Sequence, residues 1–266
     1  MPAIIVVRDL VKRFGDHLAV DHVSFDVAEG EVFGLLGPNG AGKTTTIRIL
    51  TTLISATEGE VRLAGFDVRR DGLLVRRLLG YVPQAVSADG ALTGFENLLM
   101  VAKLLGMPRG DRERKIEEVL AVVNLEDAGH RLVREYSGGM VRRLEIGQAI
   151  MHRPRILILD EPTVGLDPTA RRAVWSAIDE IRGETGMTLL VTTHYMEEAD
   201  AFCQRVAIMD HGRIVAIGSP AELKASLDQP GATLEDVFTT KTGYTLESGG
   251  SYREARQLRR RVQRYH

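Results

Sequence analysis

Nine consecutive residues, Gly37, Pro38, Asn39, Gly40, Ala41, Gly42, Lys43, Thr44 and Thr45, carry the chemistry of a phosphate-binding loop. Glycine at 37, 40 and 42 permits backbone angles that a Cβ forbids, so main-chain N–H groups can close on an anion. Lys43 adds a mobile full charge for the β- and γ-groups of a polyphosphate, and Thr44 Oγ1 is the expected ligand for Mg²⁺. A plain glycine-rich turn between a strand and a helix is the alternative reading. Asp160 and Glu161 end a second apolar run and would stand at the carboxyl end of a buried strand, where ligands bind in α/β sheets. Asp160 can hold the Mg²⁺ shell, and Glu161, one residue on, can polarise an attacking water. Turn chemistry before Pro162 is the alternative for this pair. Ser137, Gly138 and Gly139 make a serine-capped, glycine-exposed helix start, a further place for a phosphate, although many helices open with Ser-Gly.

Periodicity supplies the elements that must position these groups. Residues 32–36 are an apolar run leading into the glycine loop as a buried strand, and residues 44–50 lead out as a helix whose positive end faces the phosphates. Residues 4–27 read as short strands, 4–7 and 23–27, broken by a turn around Phe14, Gly15 and Asp16, and their alternation is antiparallel in character. Phe14 could stack on a base or pack beside that turn. Residues 155–160 and 187–192 are continuously apolar, as strands buried on both faces are, and residues 169–182 have helical period between them. The order strand, helix, strand gives a right-handed crossover. From about 85 to 134 the pattern is helical, with amphipathic segments at 95–105 and 112–123 separated by a break at 106–110, so a helical insert interrupts the α/β core. A short helix is expected at 221–227, ended by Gln229, Pro230 and Gly231.

Composition narrows the function classes. The chain has 266 residues, 44% hydrophobic and 26% charged, which is ordinary globular usage. A net charge of −2 supplies no global basic footprint, so no nucleic-acid partner is expected. No apolar run has the length of a membrane span and the start does not resemble a secretory signal, so a cytoplasmic location is expected unless a partner anchors the chain. Cys203 is alone, which excludes an internal disulfide and suits a small buried hydrophobe.

The order of these motifs resembles the ATP-binding subunits of ABC transporters. Tyr136, Ser137, Gly138, Gly139 and Met140 look like the family signature, standing between the phosphate loop and Asp160. Gln84, in the run Tyr81, Val82, Pro83, Gln84, matches the glutamine loop, which in the family binds Mg²⁺ and the water and links the core to the helical insert. Asp167, after Gly165 and Leu166, matches the D-loop, and His194 matches the switch histidine that contacts the γ-phosphate. Phe14 stands where the family has its adenine-stacking aromatic. The resemblance covers about residues 4–240 and implies an α/β fold: a P-loop NTPase core with a mainly parallel central sheet, an N-terminal antiparallel β subdomain and an inserted α-helical subdomain. It implies an ATP-binding domain at 1–240, with its insert at about 85–152, and an extension at 241–266. Tyr136 and Met140 depart from the commonest Leu and Gln of the signature, and with residues 193–200 and 233–238 they look most like the drug-resistance exporter branch of daunorubicin-resistance type.

The mechanism that follows from the resemblance needs two copies. One copy would supply Lys43, Thr44, Gln84, Asp160, Glu161 and His194, and Ser137, Gly138 and Gly139 of the other would cover the γ-phosphate. The expected protein is therefore an ATPase using ATP and Mg²⁺, forming a head-to-tail ATP-sandwich dimer. It would sit at the cytoplasmic face of the cell membrane through separate integral membrane permease subunits and power export of a hydrophobic drug or lipid. An ABC importer subunit, or a soluble relative acting on ribosomes or DNA, are the alternatives. Residues 251–266 hold six arginines and one glutamate, with Tyr252, Leu258 and Val262 on one side of a helical wheel and Arg253, Arg256 and Arg260 opposite. A membrane-surface helix and a solvated tail after Gly249 and Gly250 both fit that pattern.

Overall fold

The computed structural model describes residues 2–244, and the basic segment 251–266 lies outside them. The chain opens with two long antiparallel strands, β1 (Ala3–Phe14) and β2 (His17–Ala28), joined by a tight turn at Gly15 and Asp16. These strands exceed the short runs expected from the pattern. Asp9 (φ 45°) and His22 (φ 51°) adopt left-handed backbone and accompany register shifts, so strict alternation is lost while pairing continues. β3 (Val32–Leu36) then enters a second sheet and is followed by the glycine loop and α1 (Lys43–Leu50). β4 (Glu58–Leu63) and β5 (Phe66–Asp67) return to the first sheet, which has the order β2-β1-β4-β5.

After α2 (Gly72–Leu78) and β6 (Leu79–Val82), the chain runs through α3 (Gly94–Leu104), α4 (Arg109–Val122) and α5 (Gly138–Ile150). It re-enters the second sheet as β7 (Ile156–Asp160), α6 (Pro168–Thr185) and β8 (Thr188–Thr193). α7 (Met196–Phe202), β9 (Arg205–Asp210), β10 (Arg213–Gly218), α8 (Pro220–Ala225) and α9 (Leu234–Thr242) follow. The second sheet has the order β10-β9-β3-β8-β7-β6, parallel throughout except for the antiparallel pair of β9 and β10.

Sequence explains why this sheet is buried on both sides. Phe33, Leu35, Ile156, Ile158, Leu190, Ala207 and Met209 point into one core with the antiparallel sheet and α1. Their neighbours Val32, Leu36, Leu157, Leu159, Leu189 and Ile208 point into the other, with the helical segment and α6. Successive residues on a strand face opposite ways, so a run apolar at every position is what two cores require.

Caps fix the helix starts. Thr93 and Glu96 form a capping box at α3, and Thr233 and Asp236 form one at α9. The break expected at 106–110 is shorter in the structure, because α4 already begins at Arg109, after Pro108, and takes Gly110 into its first turn. α9 runs through residue 240, and the Tyr244 ring packs edge-on against buried Phe238 at 5.4 Å.

The glycine loop is held by packing as well as by backbone angle. A Cβ on Gly37 (φ +146°) would sit 2.2 Å from the Met209 carbonyl oxygen, and one on Gly42 (φ +103°) would sit 2.6 Å from that of Ala19. The loop is thus wedged between β9 and β2, and both contacts are to backbone that cannot swing away. Gly37→Ala is expected to lower stability by about 2–3 kcal/mol, measured as a lower urea midpoint at constant slope. A loss below about 0.5 kcal/mol would show that the loop has room there.

Candidate functional site

Four parallel strands deliver the candidate residues to one edge of the sheet. β3 ends at the glycine loop, β6 at Pro83 and Gln84, β7 at Asp160, and β8 at Thr193 with His194 next. β3 lies between β8 and β9, where connections leave the sheet in both directions, and in open α/β sheets ligands bind outside the carboxyl ends of the strands at such a point.

Glu161 is the centre of the cluster. Its Oε1 lies 3.3 Å from Lys43 Nζ, and its Oε2 lies 3.3 Å from His194 Nδ1 and accepts a 3.4 Å hydrogen bond from Gln84 Nε2. The residue is 5% exposed and has a left-handed φ of 50°, held because its N–H donates to the Thr192 carbonyl (3.1 Å) and Oγ1 (3.0 Å). A non-glycine residue in that region costs about 1–3 kcal/mol, and such strain collects at functional sites. Burial pushes the Glu161 carboxyl up, but His194 and Lys43 more than offset it and hold the group below its ordinary range. The carboxylate is therefore kept charged in a nearly dry place, as a group that polarises water must be.

Lys43 is buried and its pKa is lowered, first by that burial, with Glu161 and Asp160 pulling it back up. Its Nζ donates to the carbonyls of Gly37 (2.7 Å) and Pro38 (3.3 Å). The charge thus stands within the loop it would serve. The α1 N–H groups of the first turn have no acceptor inside the helix, and Asn39 and Gly40 are exposed above them.

Asp160 and Thr44 face one another, with Thr44 Oγ1 3.5 Å from Asp160 Oδ1. Thr192 Oγ1 donates to the same carboxylate oxygen at 2.5 Å. Burial raises the Asp160 pKa, so a cation beside it would relieve the cost of its charge. A hydroxyl and one carboxylate are hard oxygen donors that fit Mg²⁺, which takes few protein ligands and completes its shell with phosphate and water. Among the described residues no group of three or more His, Cys, Asp or Glu could hold a metal.

The remaining candidates lie apart from this cluster. Ser137 caps α5, accepting from Met140 N–H at 3.3 Å, and both Ser137 and Gly138 are exposed. Asp167 caps α6, accepting from Thr169 N–H (2.9 Å) and Ala170 N–H (3.0 Å). A Cβ on Gly138 would be 2.9 Å from Leu166, and one on Gly139 3.0 Å from Ala170, so the two helix starts pack together. Among the described residues no hydrogen bond or ion pair joins Ser137 or Asp167 to Lys43, Asp160 or Glu161. Phe14 is 49% exposed at the hairpin tip, with Lys12 Nζ 4.8 Å from its ring centroid, and Ala19 beyond the turn abuts Gly42.

Thr192 was not among the sequence candidates, yet it bonds both Asp160 and the Glu161 backbone. Its signal was a polar residue inside an apolar strand at the carboxyl edge. The buried Thr163 and Glu198, joined at 2.7 Å, likewise tie the loop after Glu161 to α7.

Comparison with known proteins agrees with this geometry. The family described as ABC transporter matches residues 20–164. The daunorubicin/doxorubicin resistance ATP-binding protein of Streptomyces peucetius is 44% identical over 218 residues, covering 82% of this chain and 66% of that protein. The linearmycin resistance ATP-binding protein of Bacillus subtilis is 39% identical over 220 residues, covering 83% and 70%. The Nod factor export ATP-binding protein I of Paraburkholderia xenovorans is 42% identical over 239 residues, covering 90% and 78%. A solved structure described as the ATP binding subunit of an ABC transporter superposes with a TM-score of 0.78 at 28% identity, covering 90% of this chain and 99% of that one.

Proposed function

The chain belongs to the ABC transporter family, as an ATP-hydrolysing subunit of its drug-resistance branch, and from that premise we propose that two copies close head to tail around two ATP and drive export of a hydrophobic drug or lipid through a separate membrane permease. The observation that carries this reading is the split of the site. Lys43, Gln84 and His194 converge on Glu161, while Ser137 and Gly138, the other phosphate-ready backbone, face outward to solvent. Ser137, Gly138, Gly139 and Asp167 would close on the nucleotide of the second copy. Phe14 would stack on the adenine.

In the assembled site the γ-phosphate displaces the Gly37 and Pro38 carbonyls as partners of Lys43 Nζ. Glu161 accepts a hydrogen bond from water and takes its proton as the oxygen attacks the γ-phosphorus; ADP leaves, and His194 and Gln84 keep the carboxylate and the water aligned. Thr44 and Asp160, with Gln84 at the edge, would hold Mg²⁺, which would supply charge neutralisation for the phosphates. Phosphate release removes the anion that both copies share, and the dimer loosens.

Residues 85–152 are read as the segment that passes this motion to the permease, and 241–266 as an extension to the ATP-binding domain. Val86, next but one to Gln84, is 67% exposed, and Leu104 at the end of α3 is 80% exposed, which suits contact with a partner. No helix among the described residues is long and apolar enough to cross a membrane, so a place at the cytoplasmic face would come through the permease. Export, rather than import, is supported by relatives whose names carry drug resistance and Nod factor export.

Affinity purification from membranes tests the assignment: an integral membrane protein should accompany the chain, whereas ribosomes or DNA in its place would overturn the transport reading. Lys43→Ala is expected to weaken ATP binding about a hundredfold, near 2.7 kcal/mol, measured by calorimetry. Unchanged affinity would remove Lys43 from the phosphate site.

A further inference from the structure

One face of α5 carries three polar side chains spaced three apart, Arg142, Glu145 and Gln148, and together they hold the segment between β6 and α3. Arg142 Nη1 donates to the Pro83 carbonyl (2.7 Å) and to Glu145 Oε2 (3.0 Å), while Nη2 donates to the Gln84 carbonyl (3.1 Å). Glu145 Oε1 accepts from the Ser87 N–H (2.5 Å) and Oγ (3.0 Å). Gln148 Nε2 donates to Asn97 Oδ1 at 3.4 Å, and Asn97 brackets Asp89, accepting from its N–H and donating to its carbonyl.

Arg142 and Glu145 are 6% and 3% exposed. On an ordinary helix an i,i+3 pair is solvated and contributes a few tenths of a kcal/mol. Burying both charges carries a desolvation cost that apolar residues of similar volume would avoid, so stability alone does not account for them. What they supply is position. Gln84, whose carbonyl Arg142 holds, reaches Glu161 with its side chain, and Ser137 begins the helix on which Arg142 stands.

We infer that Arg142 and Glu145 are positioning residues which make the Gln84 segment and the Ser137 helix one rigid unit, so that a second copy's nucleotide docking on Ser137 sets the position of Gln84 in this copy's own site. The inference rests on the head-to-tail reading above. Each site is thereby informed of the other through α5. Asn97 and Gln148 extend the same attachment to the far end of the segment.

The test uses the full-length chain. Arg142→Met should lower kcat about ten- to a hundredfold, the scale of a small misplacement of a catalytic group, with the KM for ATP changed less than about twofold. Arg142→Lys keeps the ion pair with Glu145 but not both carbonyl contacts, and should retain kcat between the two. Hydrogen exchange supplies a readout that a purely structural role would not move. In Glu161→Gln protein, ATP should protect amides 84–89; in the double variant with Arg142→Met the ATP dimer should still form without that protection. Wild-type kcat in Arg142→Met, protection retained in the double variant, or unfolding or lost ATP binding in both Arg142 variants would each overturn the inference. A Glu161→Gln chain that does not dimerise with ATP would instead overturn the head-to-tail reading and take this inference with it.

Discussion

Glu161→Gln will bind ATP, hold two copies together and turn over about a thousandfold more slowly than the native chain. The size of the effect follows from what surrounds the carboxylate. Lys43 Nζ and His194 Nδ1 each stand 3.3 Å from it and Gln84 Nε2 3.4 Å, so an amide of the same shape fits the space and keeps one acceptor oxygen. It loses the charge that draws a proton from water. Burial raises the carboxyl pKa, yet His194 and Lys43 bring it below the ordinary value of 4.5, so the native group is charged at neutral pH and the substitution removes a full charge. The same depression has a stability consequence with a definite sign: the contribution is complete above the ordinary carboxylate value and is lost as pH falls through the lower folded one. Glu161→Gln should therefore cost stability at pH 7 and close the gap to wild type in acid. Phosphate release and size exclusion in ATP are the measurements. Undiminished hydrolysis would mean that another group polarises the water.

Much of this site was legible in the sequence because its parts are local. A glycine loop ending in Lys43 and Thr44, or a carboxylate pair closing an apolar strand, is defined by residue types at fixed spacing, and β3, residues 156–159 of β7 and residues 189–191 of β8 announce themselves by their apolar runs. What was less legible depends on long-range pairing. β1 and β2 look short because left-handed residues at Asp9 and His22 interrupt the alternation, though the hydrogen-bonded pairing goes on. Arg142 and Glu145 look like a solvated helix pair, and only the path of residues 83–89 across α5 buries them. Thr192 looks like a strand threonine until the register of β7 and β8 sets it opposite Asp160. α9 carried a signal that periodicity alone passes over, a capping box at Thr233 and Asp236, with Leu234, Val237 and Phe238 buried behind it. Local chemistry is written in the chain; the partners of that chemistry are set by topology.

Mixing two inactive variants will restore hydrolysis if the site is shared between copies. Ser137→Asp is the first of them. Aspartate is as good an N-cap as serine and suits the positive end of α5, so the helix should keep its start and its acceptor for Met140 N–H. The new charge would face a γ-phosphate of the other copy and repel it, lowering turnover about a hundredfold. Lys43→Ala is the second, inactive because its own loop has lost its cation. In a mixed dimer one site joins an intact Lys43 to an intact Ser137, and the other carries both defects. Random pairing makes about half of the dimers mixed, each with one whole site of two, so activity should rise toward a ceiling of about a quarter of wild type, reduced by whatever the Ser137→Asp copy's own Gln84 loses in position. A site contained within one chain would have both variants defective in every dimer, and the mixture would show only the average of two low rates. Ser137 and Gly138 lie exposed on a helix start that packs against Leu166 and Ala170, with no hydrogen bond or ion pair to the Glu161 cluster among the described residues, so on the head-to-tail reading a phosphate meets both groups across two copies.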